Sequence, residues 1–493
     1  MKIIAKALAG AATGITVASL AGAGFLPATA TAATGLPGAS PMLTRAPYLT
    51  DLTQTSVQVN WATTTQGTGS VGYGPAGDCS ATTVTAPATS YPITVKATTE
   101  YQNTLTLTGL TPGTAYCYRP YSGTTDLLGT IPSPAFTTLQ PIGSTVPFTF
   151  DVVGDWGDTA TGNTNTGAVN QNQAAIDTLI AGSGAQFAVT TGDIAYPGGT
   201  QANYGDLNQT GPDVSGVFGP AYWAVPGMSV PMFAVSGNHG KNATYLSTWP
   251  ETATTAASSG VYGMKNFPSA DGSAAGTYPT SYYAFSAGGT RFYALDAAWD
   301  NAYLGSATGG TCGTSASCKL YQVDAAQHWS ATSSEMIWLK ADLAAHQGGL
   351  KFVFFHFPVH SDNATESSDI YLDGPSGLEG MLQRAGVSII FNGHAHIYQR
   401  TTATSPGSVR SYITGGGGAV VEPVSVCAGP GAYAIGWSYT SRSGTSCGSA
   451  PKPSSDAQVY NFLKVVVSGH TVTVIPVNSL GRTFDVHTYN FGP

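Results

Sequence analysis

The chain has 493 residues, 42% of them hydrophobic and only 9% charged, with 62 glycines and a formal net charge of −8. Such a length allows a large core plus an accessory module, and so little charge among so much Gly, Thr, Ser and Ala points to a β-rich protein with many turns. The negative balance excludes a general nucleic-acid binder, which needs Lys and Arg to neutralise phosphates; a single phosphate ester is not excluded, because metal ions can supply positive charge locally.

Residues 1–33 read as an export signal. Lys2 and Lys6 give a positive start, and Ala7 to Phe25 is uncharged and apolar or small. Pro27 follows, and then Ala28-Thr29-Ala30-Thr31-Ala32-Ala33 offers A-x-A cleavage sites. A membrane anchor is the competing reading, since the uncharged run approaches a span in length. Its Ala and Gly make it weakly hydrophobic, so cleavage and a secreted, extracellular product are expected. No later stretch is long and apolar enough to span a bilayer, and no stable membrane insertion is expected. Six cysteines follow, an even number suited to an oxidising compartment. Proximity favours Cys79–Cys117, Cys312–Cys318 and Cys427–Cys447 over the other pairings. None stands in a C-x-x-C pair, which argues against a thiolate zinc site.

Residues 43–140 read as a small β-sandwich. Short alternating runs recur at Ser56 to Trp61, Thr104 to Leu107 and Ala115 to Tyr121, separated by turn residues. Trp61 and the stretch Leu107 to Tyr116 resemble a fibronectin type III module. With no cluster of titratable groups, this module is expected to be structural or to frame a cleft, with carbohydrate or surface binding as the alternative.

Composition changes at residue 146, and residues 146–493 read as the second domain. Phe148 to Val153 predicts a strand, and Ala174, Ala175, Ile176, Leu179 and Ile180 recur at helical spacing within Asn170 to Ile180. Strands are predicted at Gln186 to Thr190 and Pro231 to Ser236. Tyr282 to Phe285 and Arg291 to Leu295 read as a hairpin joined by Ser286 to Thr290. Helices are predicted at Ser334 to Ala345 and Leu378 to Arg384, strands at Lys351 to Phe355 and Val387 to Phe391. Strand-rich sequence resumes at Arg410, interrupted by Cys427 to Ser455, which reads as a long loop that a disulfide ties down.

Polar residues stand just past the carboxyl ends of five of these strands, where open α/β sheets place their ligands. In order they are Gly154-Asp155-Trp156-Gly157, Gly192-Asp193-Ile194-Ala195-Tyr196, Gly237-Asn238-His239, His356 at the end of Val353-Phe354-Phe355, and Gly393-His394-Ala395-His396. Each alone has a structural explanation: Gly-Asp after a strand is often a turn with Asp bonded to its own backbone, and a lone His can be a satisfied core residue. The argument rests on all five in this order. Together they offer a mixed oxygen and nitrogen donor set without thiolate, suited to iron, zinc or manganese, with a carboxylate to bridge two cations about 3.5–4 Å apart.

The ordered set G-D-x-G, G-D-x-x-Y, G-N-H, V-x-x-H and G-H-x-H resembles that of the purple acid phosphatases, within the calcineurin-like metallophosphoesterases. The resemblance covers nearly all of the chain after the export signal. It implies that Asp155, Tyr196 and His396 bind a ferric ion, that Asn238, His356 and His394 bind a second ion (Zn(II), Fe(II) or Mn(II)), and that Asp193 bridges them. It places His239 outside the ligand set, able to protonate the leaving alkoxide or steady the phosphate. Tyr196 marks this group among its relatives, because a phenolate ligand selects and colours ferric iron.

The chain departs from the family pattern in three places. Gly240 follows His239 where an acidic residue is usual, removing a carboxylate that could orient or charge the histidine. Gln399 stands where Glu is common. His360, downstream of His356, is a candidate phosphate contact. Asp158 reads as a turn or outer-shell carboxylate.

The expected fold is therefore a four-layer α/β/β/α metallophosphoesterase sandwich preceded by the fibronectin type III-like sandwich. The expected function is a secreted binuclear-metal phosphatase in which metal-bound hydroxide attacks phosphate monoesters in line. The alternatives are a phosphodiesterase or nucleotidase with the same ligands, and an extracellular binding protein whose metal domain is inert. Substrate choice is expected in the loops Pro197 to Tyr222, Pro268 to Thr280 and Ser361 to Ser376. The partner expected is a small phosphate ester, not nucleic acid.

Overall fold

A computed structural model of the chain describes residues 35–79, 82–84, 88–95, 97–158, 170–196, 201–208, 216–239, 282–297, 332–366, 368, 372, 377–402, 408–425, 427 and 431–492. The export-signal reading of residues 1–33, the Cys312–Cys318 pair, Gly240 and the loop Pro268 to Thr280 lie outside the described residues.

Strands β1 (Leu43–Thr50), β2 (Ser56–Thr63), β3 (Gly69–Pro75), β4 (Thr82–Val84), β5 (Thr89–Val95), β6 (Thr98–Thr108), β7 (Ala115–Ser122), β8 (Thr125–Asp126) and β9 (Ala135–Thr137) come first. They pair into two sheets, in the orders β1-β2-β6-β5 and β4-β3-β7-β8, with β9 also on β7. The alternation read from the sequence sets the faces: in β6, Leu105 and Leu107 are buried while Thr106 is exposed, and the buried residues join Val57, Val59 and Trp61 of β2 in the core. Cys79 and Cys117 are bonded, as proximity suggested.

The second domain adds β10 (Phe148–Val153), α1 (Gln171–Ala181), β11 (Phe187–Thr190), β12 (Met232–Phe233), β13 (Tyr283–Ala287), β14 (Thr290–Ala294), α2 (Ser334–Ala345), β15 (Leu350–Phe354), α3 (Leu378–Arg384) and β16 (Ile389–Asn392). It continues with β17 (Tyr398–Thr401), β18 (Ser411–Thr414), β19 (Gly431–Ser438), β20 (Ser443–Gly448), β21 (Asn461–Ser468), β22 (Thr471–Asn478) and β23 (His487–Asn490). One sheet runs β12-β11-β10-β21-β22-β23 and the other β13-β14-β15-β16-β18-β17-β19-β20. Within them β10, β11 and β12 are mutually parallel, as are β14, β15, β16 and β18.

Alternation explains the four layers. In β14, β15 and β16 the side chains of Phe292, Phe352, Phe354 and Phe391 face the other sheet, where Phe150 meets Phe292 at 5.2 Å and Phe187 meets Phe285 at 5.6 Å between ring centroids. The intervening Tyr293, Val353, Phe355 and Ile390 face the opposite way, onto Leu339 and Leu343 of α2 and Leu378 and Leu382 of α3. Both faces are buried, so these strands read as nearly continuous apolar runs. Each fully buried Phe or Leu contributes about 1.5–3 kcal/mol relative to an exposed one. Asn170 caps α1 by accepting from Gln173 N, and Ser333 caps α2 by accepting from Met336 N.

Three expectations need correction. The strand expected over Pro231 to Ser236 pairs only at Met232–Phe233; beyond it, the Val235 N–H is taken by Thr190 Oγ1 at 2.8 Å instead of a neighbouring strand. The hairpin turn is tighter than read, with β13 and β14 extending to Ala287 and from Thr290 and leaving Gly288-Gly289 between them. Residues 427–455 are not a long loop. They hold the hairpin β19–β20, fully paired from Tyr433↔Gly448 to Ser438↔Ser443. Its composition misleads because Gly436 sits where a Cβ would meet the backbone of Glu422 and Val424, a demand of packing and not of a turn. Cys427 bonds Cys447 on that hairpin.

Candidate metal centre

The carboxyl ends of β10, β11 and β12 in one sheet and of β15 and β16 in the other converge, and the segment just beyond each strand carries one of the five motifs. The backbone there is strained: Asp155, Asp193 and His394 take φ values of 55°, 47° and 69°, in the left-handed region that non-glycine residues rarely adopt. The motif glycines permit the approach of these turns. Gly192 has a φ of 97°, and a Cβ on it would strike the His356 ring; a Cβ on Gly237 would strike Asp193.

The side chains gather into two groups that meet at Asp193. In the first, the Tyr196 hydroxyl lies 3.3 Å from Asp155 Oδ1 and 3.0 Å from His396 Nε2, and His396 Nε2 is 3.5 Å from Asp155 Oδ1. In the second, His356 Nε2 is 2.7 Å from Asn238 Oδ1, and the ligand atoms of Asp193, His356 and His394 all lie within 4.8 Å of one another. Asp193 Oδ2 touches both groups, 3.0 Å from the Tyr196 hydroxyl and 3.2 Å from His356 Nε2. Backbone bonds fix the ring: His394 N donates to Asp155 Oδ2 at 2.9 Å and His239 N to Asp193 Oδ1 at 2.8 Å. All seven expected ligands are thus brought together.

The donor chemistry fits cations. A carbonyl can only accept, so His356 Nδ1 donates to Thr191 O and His396 Nδ1 to Val420 O, at 2.8 and 2.9 Å. Each Nε2 is left turned to oxygens: Asn238 Oδ1 and Asp193 Oδ2 for His356, Asp155 Oδ1 and the Tyr196 hydroxyl for His396. Such a cluster of acceptors needs a proton or a metal ion between them. The electrostatics agree. Burial lowers His396, yet Asp155 and Glu422 push it up to about 10; burial lowers His356 too, but Asp193 outweighs it and raises the imidazole. Burial raises Asp193, but His356 and His239 hold it well below the usual carboxylate range. Burial first, then Asp193 and Asp155, push the Tyr196 phenol well above its ordinary value. Without a cation the ring therefore keeps protons where metal ions would bind. The Asn238 Nδ2, also buried, has no hydrogen-bond partner.

His239 packs its ring on Tyr196 with centroids 4.3 Å apart, and its Nε2 is 4.0 Å from Asp193 Oδ2. The structure turns His360 elsewhere: its Nε2 donates to the buried Glu379, 3.1 Å from Oε2. Gln399 uses both ends of its amide, accepting from Asp362 N at 2.8 Å and donating to His360 O at 3.2 Å. A glutamate could not make the second bond. Asp158 is buried and adds to the charge that raises Tyr196. Two carboxylates escaped sequence reasoning. Glu366 Oε2 lies 2.9 Å from His394 Nε2, and Glu422 accepts from His396 N at 3.4 Å and from Asn363 Nδ2 at 2.7 Å. Neither follows a predicted strand directly, so no local signal marked them.

Comparison with known proteins shows the family and the fold. The model of the purple acid phosphatase N-terminal domain matches residues 46–138, and that of the calcineurin-like phosphoesterases matches residues 148–398. Among solved structures, the purple acid phosphatase PPD1 from yellow lupin (Lupinus luteus) seeds is similar over 90% of this chain and 74% of its own, with a TM-score of 0.58 and 16% identity. A structure of PhoD is similar over 90% of each chain, with a TM-score of 0.52 and 12% identity. At such identities the likeness is one of fold. No curated protein sequence matches the chain significantly.

Proposed function

We propose, from the premise that this chain belongs to the calcineurin-like phosphoesterase family, that it is a secreted phosphatase hydrolysing phosphate monoesters at a two-metal centre. The observation that carries the reading is the pair of donor groups meeting at Asp193. Asp155, Tyr196 and His396 would hold one ion, ferric because of the phenolate, and Asn238, His356 and His394 the other, Zn(II), Fe(II) or Mn(II). When bound, two such cations neutralise phosphoryl charge and acidify the attacking water.

The remaining work falls to the chain itself. Thr191 O and Val420 O fix the tautomers of His356 and His396, so both rings present Nε2 inward. Asp193 accepts from the His239 amide at Oδ1, which holds its Oδ2 between the two groups. The His239 ring is a quarter exposed beside Asp193, a position suited to handing its Nε2 proton to a leaving alkoxide. The leader-like sequence of residues 1–33 and the two disulfides among the described residues support export.

One observation favours a second reading, a phosphodiesterase. Glu366 brings an extra carboxylate to His394, and its charge repels a monoester dianion more than a diester monoanion. Metal analysis of the purified protein, its visible spectrum, and parallel assays on a monoester and a diester test both readings. Two metals, a broad charge-transfer band and a higher kcat/KM on the monoester are expected. A colourless, fully active two-metal protein removes the ferric ion from the reading, and a higher kcat/KM on the diester replaces the first reading with the second.

A further inference from the structure

The strands that deliver His356 and His394 to the metal ring begin at a second site, at the opposite end of the same sheet. There, at the amino ends of β15, β16 and β18, a cleft of about 820 Å³ is lined by Lys340, Lys351, Arg384, Arg410 and His470, and by no acidic residue. Only 18 lysines and arginines occur in the chain, whose net charge is −8, and four of them converge here.

Two of these cations stand without a counter-charge. Lys351 is 3% exposed, its ammonium donates to the Gly348 carbonyl at 3.3 Å, and burial lowers its pKa. The Arg410 guanidinium lies 5.2 Å from the Tyr489 ring centroid and 5.5 Å from that of Phe491. Among the described residues no carboxylate pairs with either. Asp342, the acid on α2 nearest in sequence to Lys340, is bonded by Arg291 at 2.6 Å.

Basic residues near helix ends have an ordinary explanation, since the last turns of α2 and α3 border the cleft and favour cations. Two helix ends carry at most about half a negative charge each. That leaves Arg410 just before β18 and the buried Lys351 on β15 unexplained. A buried unpaired charge is costly to keep, so its presence points to an anion that enters the cleft.

We propose that this cleft binds an oligophosphate chain, free or carried on a nucleoside. One orthophosphate cannot reach cations spread over a volume this large, whereas a chain of phosphates meets several at once, with the guanidinium of Arg410 offering two parallel donors. The site is separate from the metal ring and stands whether or not that ring prefers monoesters.

Calorimetric titration of the metal-loaded protein with inorganic tripolyphosphate, ATP and orthophosphate tests it, using Arg410→Gln and Lys340→Glu beside the wild type. Lys351→Met is a third variant, but its burial risks the fold, so the two rim variants decide. The expected result is a salt-sensitive tripolyphosphate site that each rim variant weakens about tenfold or more, with orthophosphate binding weaker and turnover of an aryl phosphate unchanged. Tighter binding of ATP than of tripolyphosphate assigns the site to the esterified chain, and the reverse order to the free one. Tripolyphosphate binding that is equal in wild type and rim variants, or absent, overturns the proposal.

Discussion

The hydrogen bond that His239 gives Asp193 comes from its backbone amide, so replacing the ring leaves that bond and every expected ligand in place. His239→Ala is therefore expected to retain both metals and to lose about 10²–10⁴-fold in rate, the usual worth of a general acid. The loss should shrink for aryl phosphates, which leave without a proton. Metal analysis beside rates on alkyl and aryl esters decides it; equal losses on both would leave the ring a mere phosphate contact. Glu366 makes a different prediction. Removing its charge in Glu366→Gln should raise kcat/KM for a monoester relative to a diester by about fivefold, as expected for about 1 kcal/mol of relieved repulsion across a screened distance. An unchanged ratio would mean that the carboxylate serves only to hold His394. The difference between these residues is also one of legibility. His239 sits beside a motif residue just past a strand and could be read, whereas Glu366 reaches His394 from a loop whose path only the folded chain reveals.

At the scale of elements, β10 carries an unusual residue for a central strand. Asp151 is fully buried, pairs in register with Lys464, and accepts from Ser183 Oγ at 2.6 Å, while its Oδ1 has no partner. Burial pushes its carboxyl up to about 7 against the opposing pull of Ser183 and Lys464. The native state thus keeps a proton that the unfolded chain releases near its ordinary value of 3.8. This contribution is full below that value and is lost as pH rises through about 7; moving a carboxyl that far is worth about 4 kcal/mol at most. Asp151→Asn should flatten the fall in melting temperature between pH 5 and pH 8, and an unaltered slope would place the pH dependence elsewhere. Asp151 was hidden in the sequence by its apolar neighbours, which otherwise made β10 plain. Strongly periodic segments such as α1, α2 and the phenylalanine strands were legible because alternation or helical spacing dictates their faces. The β19–β20 hairpin was not, since Gly436 answers to the neighbouring chain at Glu422 and not to its own strand.

Across the whole molecule, the first sandwich is not an appendage. Its buried Arg45 reaches into the second domain, donating from Nε to Gly205 O at 2.7 Å and from Nη2 to Gln201 Oε1 at 2.8 Å. The Tyr118 hydroxyl donates to Met228 O, and Gln54 Nε2 to Ser286 O, at 2.9 and 2.8 Å. Tyr48 packs on Phe218 with centroids 4.6 Å apart, and one core cluster runs through Trp61 and Phe150 alike. Most of these contacts fall between residues 201 and 228, the stretch that links Tyr196 to Asn238. The sandwich therefore braces the connection between the two donor groups. Arg45 also offsets the buried Glu100, which burial and Asp206 push up to about 8. Arg45→Ala removes the bonds to Gly205 O and Gln201 Oε1 and opens the junction, a loss of about 1–3 kcal/mol for each buried acceptor left unpaired. Calorimetry of the metal-loaded wild type should give one cooperative transition for both domains. In Arg45→Ala it should move to lower temperature, and metal should be released at a lower chelator concentration, because the 201–228 connection loosens. Two separate transitions in the wild type, or metal retention unaltered by the substitution, would show that the domains merely touch.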